Sequence, residues 1–272
     1  FEKNKKGGKK LKTLHTFVVL AYKESPYLEE CLKSVSNQEY KSKVVIATTT
    51  DNEYIRNLAK KYKVDVVVGK HTNIGGDFDF AIHTGKTELV TVAHQDDIYD
   101  SNYSKRMVDL YLKYPDANIL FSDYYEIRKE EKVSGNTNLR IKRILLFPLR
   151  CHKISKFKLI KRWGIRFGNG ICCPAVTFVV KRCPKEIFTS DYQCNVDWFA
   201  WEKLSRLKGR FIYDKKILMG HRISLESTTT DIIKNGIRTK EDYSIYCKFW
   251  PKGIARLFTN VYKNSEKSNQ ID

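Results

Sequence analysis

Short apolar runs alternate with amphipathic stretches along the first half of the chain. We predict a strand for each compact run rich in Val, Ile and Thr, and a helix where apolar residues recur at every third or fourth position. The predicted strands cover 14–21, 43–48, 64–68, 88–93 and 118–127, and the predicted helices cover 26–36, 52–62, 76–85 and 102–114. This alternation predicts an α/β fold with a mostly parallel, Rossmann-like sheet and helices on both faces.

The second half is less regular and predicts a different organisation. Its predicted elements are a strand at 175–180, a helix at 196–207, a strand pair or a strand and turn at 210–222, and a helical stretch at 236–262 broken near Pro251. We divide the chain into a flexible basic tail at 1–12, a first half at 13–130, a second half at 131–235 with a basic insertion at 132–170, and a C-terminal helical segment at 236–272.

Candidate chemistry collects where the predicted strands end. Ligands of open parallel sheets bind beyond the carboxyl ends of the strands, where Tyr22, Thr49 and Asn73 fall. The fourth strand ends in a pair of acids, Asp96 and Asp97, and adjacent buried acids are costly unless a positive charge neutralises them. A divalent metal with oxygen ligands is the usual solution. The alternative is a solvated acidic turn in which Asp97 caps the next helix.

Charge is placed unevenly along the chain. The net charge is +19, and 132–185 contains fourteen Lys and Arg but no Asp or Glu. Such a block predicts an anionic partner. Because its cations are interleaved with Leu, Phe and Trp, we favour an anionic membrane surface over a solvated basic face. No nucleic-acid-binding motif is recognised, so we expect no nucleic-acid partner.

The remaining composition predicts a cytoplasmic protein. The longest apolar run, 171–180, is too short to cross a bilayer, which needs about 20 residues. The N-terminus is Lys-rich and shows no signal peptide. The seven cysteines show no metal-binding spacing and are expected to be reduced thiols. We therefore expect a cytoplasmic protein that is peripheral at an anionic membrane surface.

Four turns, taken in order, carry a resemblance to a known family. They are Ala21-Tyr22-Lys23-Glu24, Thr49-Thr50-Asp51, Asn73-Ile74-Gly75 and His94-Gln95-Asp96-Asp97. The chain resembles the family 2 glycosyltransferases, which have the GT-A fold, and among them the enzymes of bacterial capsule and surface polysaccharide loci. The resemblance covers 14–125 closely and 175–230 more weakly. It departs at His94, which stands where the family has the first acid of its D-x-D motif.

The resemblance implies a nucleotide-diphosphate sugar as donor, with a UDP-sugar favoured, bound by the first half. It implies a divalent cofactor, Mn²⁺ or Mg²⁺, held by Asp96 and Asp97 and also by His94. The donor-binding residues that it implies are Ala21, Tyr22, Glu24, Thr49, Asp77, His94, Gln95 and Arg222. For Asp77 a solvated helix face, and for Arg222 structural hydrogen bonds at a strand end, are the alternatives.

Asp197 is the candidate catalytic base. On the predicted helix it shares an apolar face with Ala200, Trp201 and Leu204, and desolvation raises the basicity of a carboxylate. It also matches the family's E-D-x-x-L base motif, with Val196 in place of the first acid. The alternative is a carboxylate favoured by the helix dipole, and Glu202 and Asp191 are the second choices.

The family's single displacement implies an inverting enzyme, and the missing Q-x-x-R-W motif implies a non-processive one. The implied acceptor is a saccharide on polyprenyl pyrophosphate, bound by the second half. A sugar nucleotidyltransferase would need a glycine-rich loop after the first strand, where Ala21-Tyr22-Lys23-Glu24 has no glycine. A non-enzymatic nucleic-acid- or membrane-binding protein on the same scaffold is the other alternative.

Overall fold

A computed structural model describes residues 13–223 and 236–267. The predicted tail at 1–12 lies outside the described residues, as do 224–235 of the second half and 268–272 of the C-terminal segment. The strands are β1 His15–Ala21, β2 Lys43–Thr48, β3 Asp65–Val68, β4 Leu89–His94, β5 Ile98–Tyr99, β6 Ala117–Arg128, β7 Glu131–Val133, β8 Val176–Val179 and β9 Arg210–Arg222. The helices are α1 Leu28–Ser36, α2 Glu53–Tyr62, α3 Ile74–Thr84, α4 Tyr103–Lys113, α5 Thr137–Leu146, α6 Lys158–Trp163, α7 Val196–Ser205, α8 Ile237–Tyr246 and α9 Lys252–Lys267.

One sheet runs through both halves, in the order β3-β2-β1-β4-β8-β6-β9-β5, with β7 beside β6. The strands β3, β2, β1 and β4 are parallel, as predicted. The strand β8 runs antiparallel to both of its neighbours, β4 and β6, and β9 is parallel to β6. The α/β class with helices on both faces is confirmed, and each antiparallel pair in the described sheet includes β7, β8 or β9 of the second half.

Two apolar cores lie on the two faces of this sheet. On one face Phe17 packs with Leu32 of α1 and Met107 of α4, and all three are fully buried. On the other face Val18 packs in the core that contains Ile82 of α3 and Trp201 of α7. Consecutive residues of β1 therefore face opposite cores, as the strand period of two requires. Both cores fix the strand ends relative to one another.

The region 210–222 is one continuous strand, so the predicted strand pair is wrong. The strand β9 pairs with β6 along its length, and the register shifts between Ser122 and Asp123, opposite Lys215 and Lys216. These lysines are exposed and lie where the ladder is irregular. Their polar side chains in the middle of the strand made the sequence resemble a turn. The helix predicted at 26–36 begins instead at Leu28, whose N–H bonds the carbonyl of Ser25 at 3.2 Å.

The basic insertion folds as α5, a short 3₁₀ turn at Phe147–Arg150, and α6. Its buried side chains Leu139, Leu146 and Leu149 join the sheet through the two cores. Within residues 13–223 and 236–267, no helix combines the length and the apolar character needed to cross a membrane.

Candidate functional site

The strand register brings the predicted donor residues to one edge of the sheet. In β1, Ala21 lies beside Thr48 of β2, and Leu20 lies beside His94 of β4. The turns that follow the three strands therefore meet. Gln95 joins two of them, because its Oε1 accepts the N–H of Tyr22 at 2.9 Å and its Nε2 donates to the carbonyl of Tyr22 at 3.1 Å.

The turn after β1 presents an open aromatic surface. Lys23 adopts a left-handed backbone with φ 54° and donates its N–H to Thr50 Oγ1 at 2.5 Å. This geometry leaves the ring of Tyr22 exposed at 46%, with Glu24 also exposed beside it. Thr49, directly after β2, is partly buried. An exposed ring at this edge can stack on a nucleobase, as aromatic side chains commonly do.

The two acids of α3 have different surroundings. Asp79 is buried and accepts the N–H groups of Ile187, Phe188 and Thr189, so it anchors that loop. Asp77 lies in the first turn of α3 and bonds His71 at 2.8 Å through Oδ2. Its Oδ1 is buried without a hydrogen-bond partner, so it can accept a hydrogen bond from a ligand.

The residues at the end of β4 fit a divalent cation. His94, Asp96 and Asp97 place ligand atoms within 4.8 Å of one another. Two of the available atoms, His94 Nε2 and Asp97 Oδ2, are buried and have no hydrogen-bond partner. Unsatisfied buried polar atoms are uncommon and indicate a missing ligand or ion. Carboxylate oxygen with one imidazole is a donor set that Mn²⁺ accepts, and Mg²⁺ would use the two carboxylates.

The protonation equilibria of this turn also favour metal binding. Shielding from solvent lowers the pKa of His94, although Asp97 and Asp96 act to raise it, so the neutral ligand form is favoured at neutral pH. Burial raises the pKa of Asp96, and the charge of Asp97 raises it further. Two carboxylates that disfavour each other's charge are a suitable environment for a cation.

The end of β9 supplies two residues to the same turn. The register sets Ile98 of β5 opposite Gly220, and the following His221 donates from Nδ1 to Asp97 Oδ1 at 3.0 Å. Burial alone would lower the pKa of His221, but the charge and hydrogen bond of Asp97 outweigh it and the pKa is raised. Asp97 also accepts the N–H of Arg222 at 2.9 Å. It is therefore held by β9 and does not cap α4, whose N-cap is Asn102.

Arg222 is buried behind the acidic turn. Its guanidinium donates to Glu130 at 2.6 Å and to Glu30 at 2.7 Å, and it lies 4.0 Å from the ring centroid of Tyr27. Its Nε also bonds the carbonyl of Asp96 at 3.1 Å. Arg222 therefore fixes the backbone of the turn while two exposed carboxylates occupy its other N–H groups.

Asp197 lies in a second recess, in the first turn of α7. Its Oδ2 accepts a hydrogen bond from Asn169 Nδ2 at 2.7 Å, and its Oδ1 accepts the N–H of Trp198 at 2.7 Å. Burial raises the pKa of Asp197, although these two hydrogen bonds and the nearby Arg238 and Lys142 oppose the rise. A carboxylate with a raised pKa is a stronger proton acceptor, so this environment favours a general base.

The segment 169–175 connects the two acidic centres. Burial raises the pKa of Cys172 well above its ordinary value, and the charges of Asp97 and Asp197 both raise it further. The pKa of Cys173 is raised by burial, by Asp197 and by Asp97 as well. The segment also touches both centres directly, because Asn169 donates to Asp197 at 2.7 Å and the carbonyl of Pro174 accepts the hydroxyl of Tyr99, two residues after Asp97, at 2.7 Å.

Lys142 and Asn169 are site residues that sequence reasoning did not single out. Lys142 donates to the hydroxyl of Tyr124 at 2.8 Å, and the Tyr124 ring lies 6.1 Å from the ring of His221. Its charge also acts on Asp197, Cys172 and His221. Lys142 was one cation among many in the basic insertion. Asn169 stands between two glycines, a turn-like signal that could have pointed to it.

The second-choice bases have other environments. Glu202 is buried and accepts hydrogen bonds from Arg162 at 2.6 Å and from Arg206 at 2.8 Å, so two cations occupy it. Asp191 is exposed. Neither combines the burial and the neutral hydrogen-bond donors that surround Asp197.

Solved structures share this fold at low sequence identity. TarS 1–349 of S. aureus matches with a TM-score of 0.60 and 12% identity over 91% of this chain and 69% of that one, and it was also solved with UDP-GlcNAc. The mannosyltransferase PcManGT of Pyrobaculum calidifontis, in complex with GDP-Man and Mn²⁺, matches with a TM-score of 0.57 and 12% identity over 95% and 76% of the two chains. Glucosyl-3-phosphoglycerate synthase of Mycobacterium tuberculosis matches with a TM-score of 0.53 and 12% identity over 86% of this chain and 79% of that one.

Sequence comparison gives the family. A search of curated proteins found no match. The sequence profile of Glycosyl transferase family 2 matches residues 16–178, which is more than half of the chain and runs from β1 to β8. The matched region contains the turns after β1, β2 and β4 that the structure brings to one edge. With the GT-A fold confirmed, this chain belongs to glycosyl transferase family 2 and is a glycosyltransferase.

Proposed function

We propose that this chain is an inverting, non-processive glycosyltransferase that moves one sugar from a nucleotide-diphosphate donor, with a UDP-sugar favoured, to a saccharide on polyprenyl pyrophosphate. One observation carries the proposal. Segment 169–175 contacts both centres, because its Asn169 donates to the carboxylate of Asp197 and its Pro174 carbonyl accepts the hydroxyl of Tyr99, in the strand that directly follows the cluster of His94, Asp96 and Asp97. A base and a diphosphate site at short range are what a single displacement requires.

The donor would bind along the edge formed by β1, β2 and β4. The base would stack on Tyr22 beside Glu24, and Ala21 and Thr49 would line the floor between the strands. Gln95 would hold the Tyr22 backbone in place through its two hydrogen bonds. The unpaired Asp77 Oδ1 would accept a hydrogen bond from the donor. Related structures hold UDP-GlcNAc and GDP-Man, which supports a nucleotide-sugar donor but not one particular base.

The proposed reaction uses Asp197 as the base. Its carboxylate takes the proton of the acceptor hydroxyl, and that oxygen attacks the anomeric carbon from the side opposite the diphosphate. The bond between the sugar and the phosphate oxygen breaks, its electrons leave with the nucleoside diphosphate, and the anomeric configuration inverts. Asn169 keeps the carboxylate aimed through its hydrogen bond at 2.7 Å. The raised pKa of Asp197 assists the proton transfer.

Charge on the departing diphosphate needs stabilisation. Asp96, Asp97 and His94 would hold a divalent Mn²⁺ or Mg²⁺, which would supply Lewis-acid stabilisation of that charge. The chain adds its own cations to the same region, since His221 is hydrogen-bonded to Asp97 and its pKa is raised. Arg222 would act from behind the turn as a positioning residue, because its guanidinium is held by Glu30 and Glu130.

The acceptor side is proposed from the basic insertion. A cationic, partly apolar surface beside Asp197 suits a lipid-linked acceptor whose pyrophosphate is anionic. A role in bacterial capsule or other surface polysaccharide synthesis, at the inner face of the plasma membrane, follows from that acceptor class and from the resemblance of the A-H-Q-D-D-I-Y segment.

The first test is a thermal-shift panel of UDP-, dTDP- and GDP-sugars, with and without Mn²⁺ or Mg²⁺. A bound ligand raises the Tm by mass action, so one nucleotide class should give a metal-dependent rise that Asp96→Ala removes. The donor identified in this way is then used in a transfer assay whose product is analysed for anomeric configuration. No shift with any donor, together with binding to anionic lipid or duplex DNA, would favour the non-enzymatic alternative instead.

A further inference from the structure

Large exposed apolar side chains are concentrated in two stretches of the described chain. Nine of the fifteen found in residues 13–223 and 236–267 lie within 141–163 or on α9. The first stretch exposes Ile141, Ile144, Phe147, Phe157, Leu159 and Trp163, and the second exposes Ile254, Leu257 and Val261. Single exposed apolar residues are ordinary, but a concentration of this kind indicates a binding surface.

The two stretches are joined by packed aromatic rings. Trp163 lies 5.4 Å from Phe167, which lies 5.7 Å from Phe258 of α9. The outer residues Leu257 and Val261 stand on the same helix as Phe258. We call the outer side chains of 141–163 and of α9 the docking face. Beside Trp163, an open groove of about 540 Å³ is lined by Ile144, Phe147, Pro148, Trp163, Arg143 and Arg150.

Cations border the apolar part of the docking face. Arg140, Arg150, Lys153, Lys156 and Lys158 are all exposed, and none of them has a carboxylate within 4.0 Å in the described part of the chain. By contrast, Arg143 and Arg162 of the same insertion are turned inward onto Asp123 and Glu202. The insertion therefore neutralises its inner cations and leaves its outer cations for another partner.

Cations and aromatic rings meet at the outer edge of the docking face. Arg150 lies 5.3 Å from the ring centroid of Phe147, and Lys156 lies 5.5 Å from that of Phe157. This pairing keeps an apolar ring and a charged head at one level, which is the arrangement that suits the boundary between headgroups and acyl chains.

We propose that the docking face binds the surface of an anionic bilayer, with Phe147, Leu159 and Trp163 entering the acyl boundary and the bordering lysines and arginines contacting lipid phosphate. Charge complementarity selects this partner, since the outer cations have no acid beside them. A nucleic acid would be attracted by the cations alone and would leave the exposed Leu159 and Ile144, at 79% and 69%, in contact with water.

The docking face explains how the acceptor would reach the base, and this part rests on the proposed function. The helix α5 exposes Ile141 and Ile144, while its Lys142 donates to the hydroxyl of Tyr124 and its charge lowers the pKa of Asp197. One helix therefore contributes to both the docking face and the catalytic recess. A lipid-linked pyrophosphate held at the bilayer surface would present its saccharide close to that recess.

The test is co-sedimentation of the full chain with vesicles of phosphatidylcholine alone and with phosphatidylglycerol added. Wild type should bind only the anionic vesicles. The triple variant Lys153→Glu, Lys156→Glu, Lys158→Glu should bind them about a hundredfold or more weakly. Each basic residue near an anionic surface strengthens binding about fivefold, and the three losses multiply. Leu159→Ser should weaken binding by about fivefold or more through lost apolar contact.

Matched controls come from the opposite end of the sheet. The triple variant Lys33→Glu, Lys60→Glu, Lys70→Glu makes the same change in net charge with exposed lysines of α1, of α2 and of the segment after β3, and Val68→Ser removes an exposed apolar side chain of β3. Both controls should bind vesicles nearly as wild type does. Equal losses in the control and docking-face triples would show that net charge alone attracts the protein and would overturn the proposal.

Two further readouts separate this proposal from the proposed function. The donor-induced rise in Tm should be the same in wild type and in the docking-face triple, because the donor edge lies at β1, β2 and β4. Competition with duplex DNA should leave the bound fraction on anionic vesicles unchanged. Binding to vesicles without any donor response would contradict only the proposed function, and a donor response without vesicle binding would contradict only the docking face.

Discussion

The acidic turn at Asp96 and Asp97 and the recess of Asp197 are both carboxylate centres, but their partners differ in charge. The turn is enclosed by histidines, with His94 and His221 beside Asp97 and with Arg222 behind the backbone. Asp197 instead accepts its two hydrogen bonds from neutral donors, the amide of Asn169 and the N–H of Trp198. The two centres are thus built for different states of a carboxylate.

These surroundings suit the acidic turn for holding a charged ligand and suit Asp197 for taking up a proton. A protonated His221, whose pKa is raised, places a positive charge beside Asp97, and the unpaired atoms of the neutral His94 and of Asp97 leave positions for a metal ion. Neutral donors in a desolvated recess orient a carboxylate while burial still raises its pKa, so the group can take up a proton. The assignment of metal turn and base therefore follows from surroundings and not from residue type.

Replacing the proposed base should have the largest effect on catalysis. We expect Asp197→Asn to lower kcat by about 10²–10⁴, because the proton acceptor is lost while the hydrogen bond from Asn169 can remain. A transfer assay with the identified donor measures the loss, and the donor-induced Tm rise should persist. The exposed Asp191→Asn is the control and should retain wild-type turnover. Normal turnover in Asp197→Asn would show that Asp197 is not the base.

Two variants separate the roles of Asp96 and Asp97 in the acidic turn. Asp96→Ala should abolish the metal-dependent part of the donor-induced Tm rise with a small change in the Tm of the free protein. Asp97→Ala should also destabilise the protein by about 1–3 kcal/mol, because it leaves His221 Nδ1 and the Arg222 N–H without their acceptor. Urea unfolding of the two variants measures this difference. Equal stability in both would contradict the positioning role of Asp97.

Lys142 tests whether the second centre needs a positive charge. We expect Lys142→Met to lower kcat/KM on the order of tenfold, since its ammonium acts on both Asp197 and His221. Lys142→Arg should restore part of the activity, which a purely packing role of the side chain would not predict. Lys60→Met removes an exposed cation of α2, outside both centres and the docking face, and serves as the control. Unchanged kinetics in Lys142→Met would exclude the residue from catalysis.

The smallest expected effect concerns pH. The hydrogen bond from Asn169 lowers the pKa of Asp197 and so works against burial. Its removal in Asn169→Ala should raise the pKa of Asp197, so that this carboxylate becomes protonated at a higher pH. The acidic limb of the kcat/KM profile should therefore move to higher pH. The profile of wild type over the acidic range is the reference. A limb that stays in place or moves to lower pH would contradict the assignment of Asp197 as the titrating base.

The sequence by itself determined the strands of the first half and the edge of the sheet where their turns meet. Apolar runs and their spacing were sufficient for β1 to β4, because a buried parallel strand needs a continuous apolar run and its carboxyl end must lie beside the ends of its neighbours. The turns at Ala21, Thr49 and His94 could therefore be assigned to one site from local pattern alone. Asp197 could also be selected, since its helix carries an apolar face around a single acid.

Only the tertiary structure decided what surrounds those residues. Asp97 meets His221 and Arg222 through the pairing of β5 with β9, a contact across more than a hundred residues that no local pattern encodes. The roles of Lys142 and Asn169 likewise depend on where a basic, irregular insertion packs against α7. The pKa of a carboxylate depends on every charge and hydrogen-bond donor within a few ångströms, whatever their distance in sequence. The sequence therefore identifies the candidate acids, and the fold determines how each of them ionises.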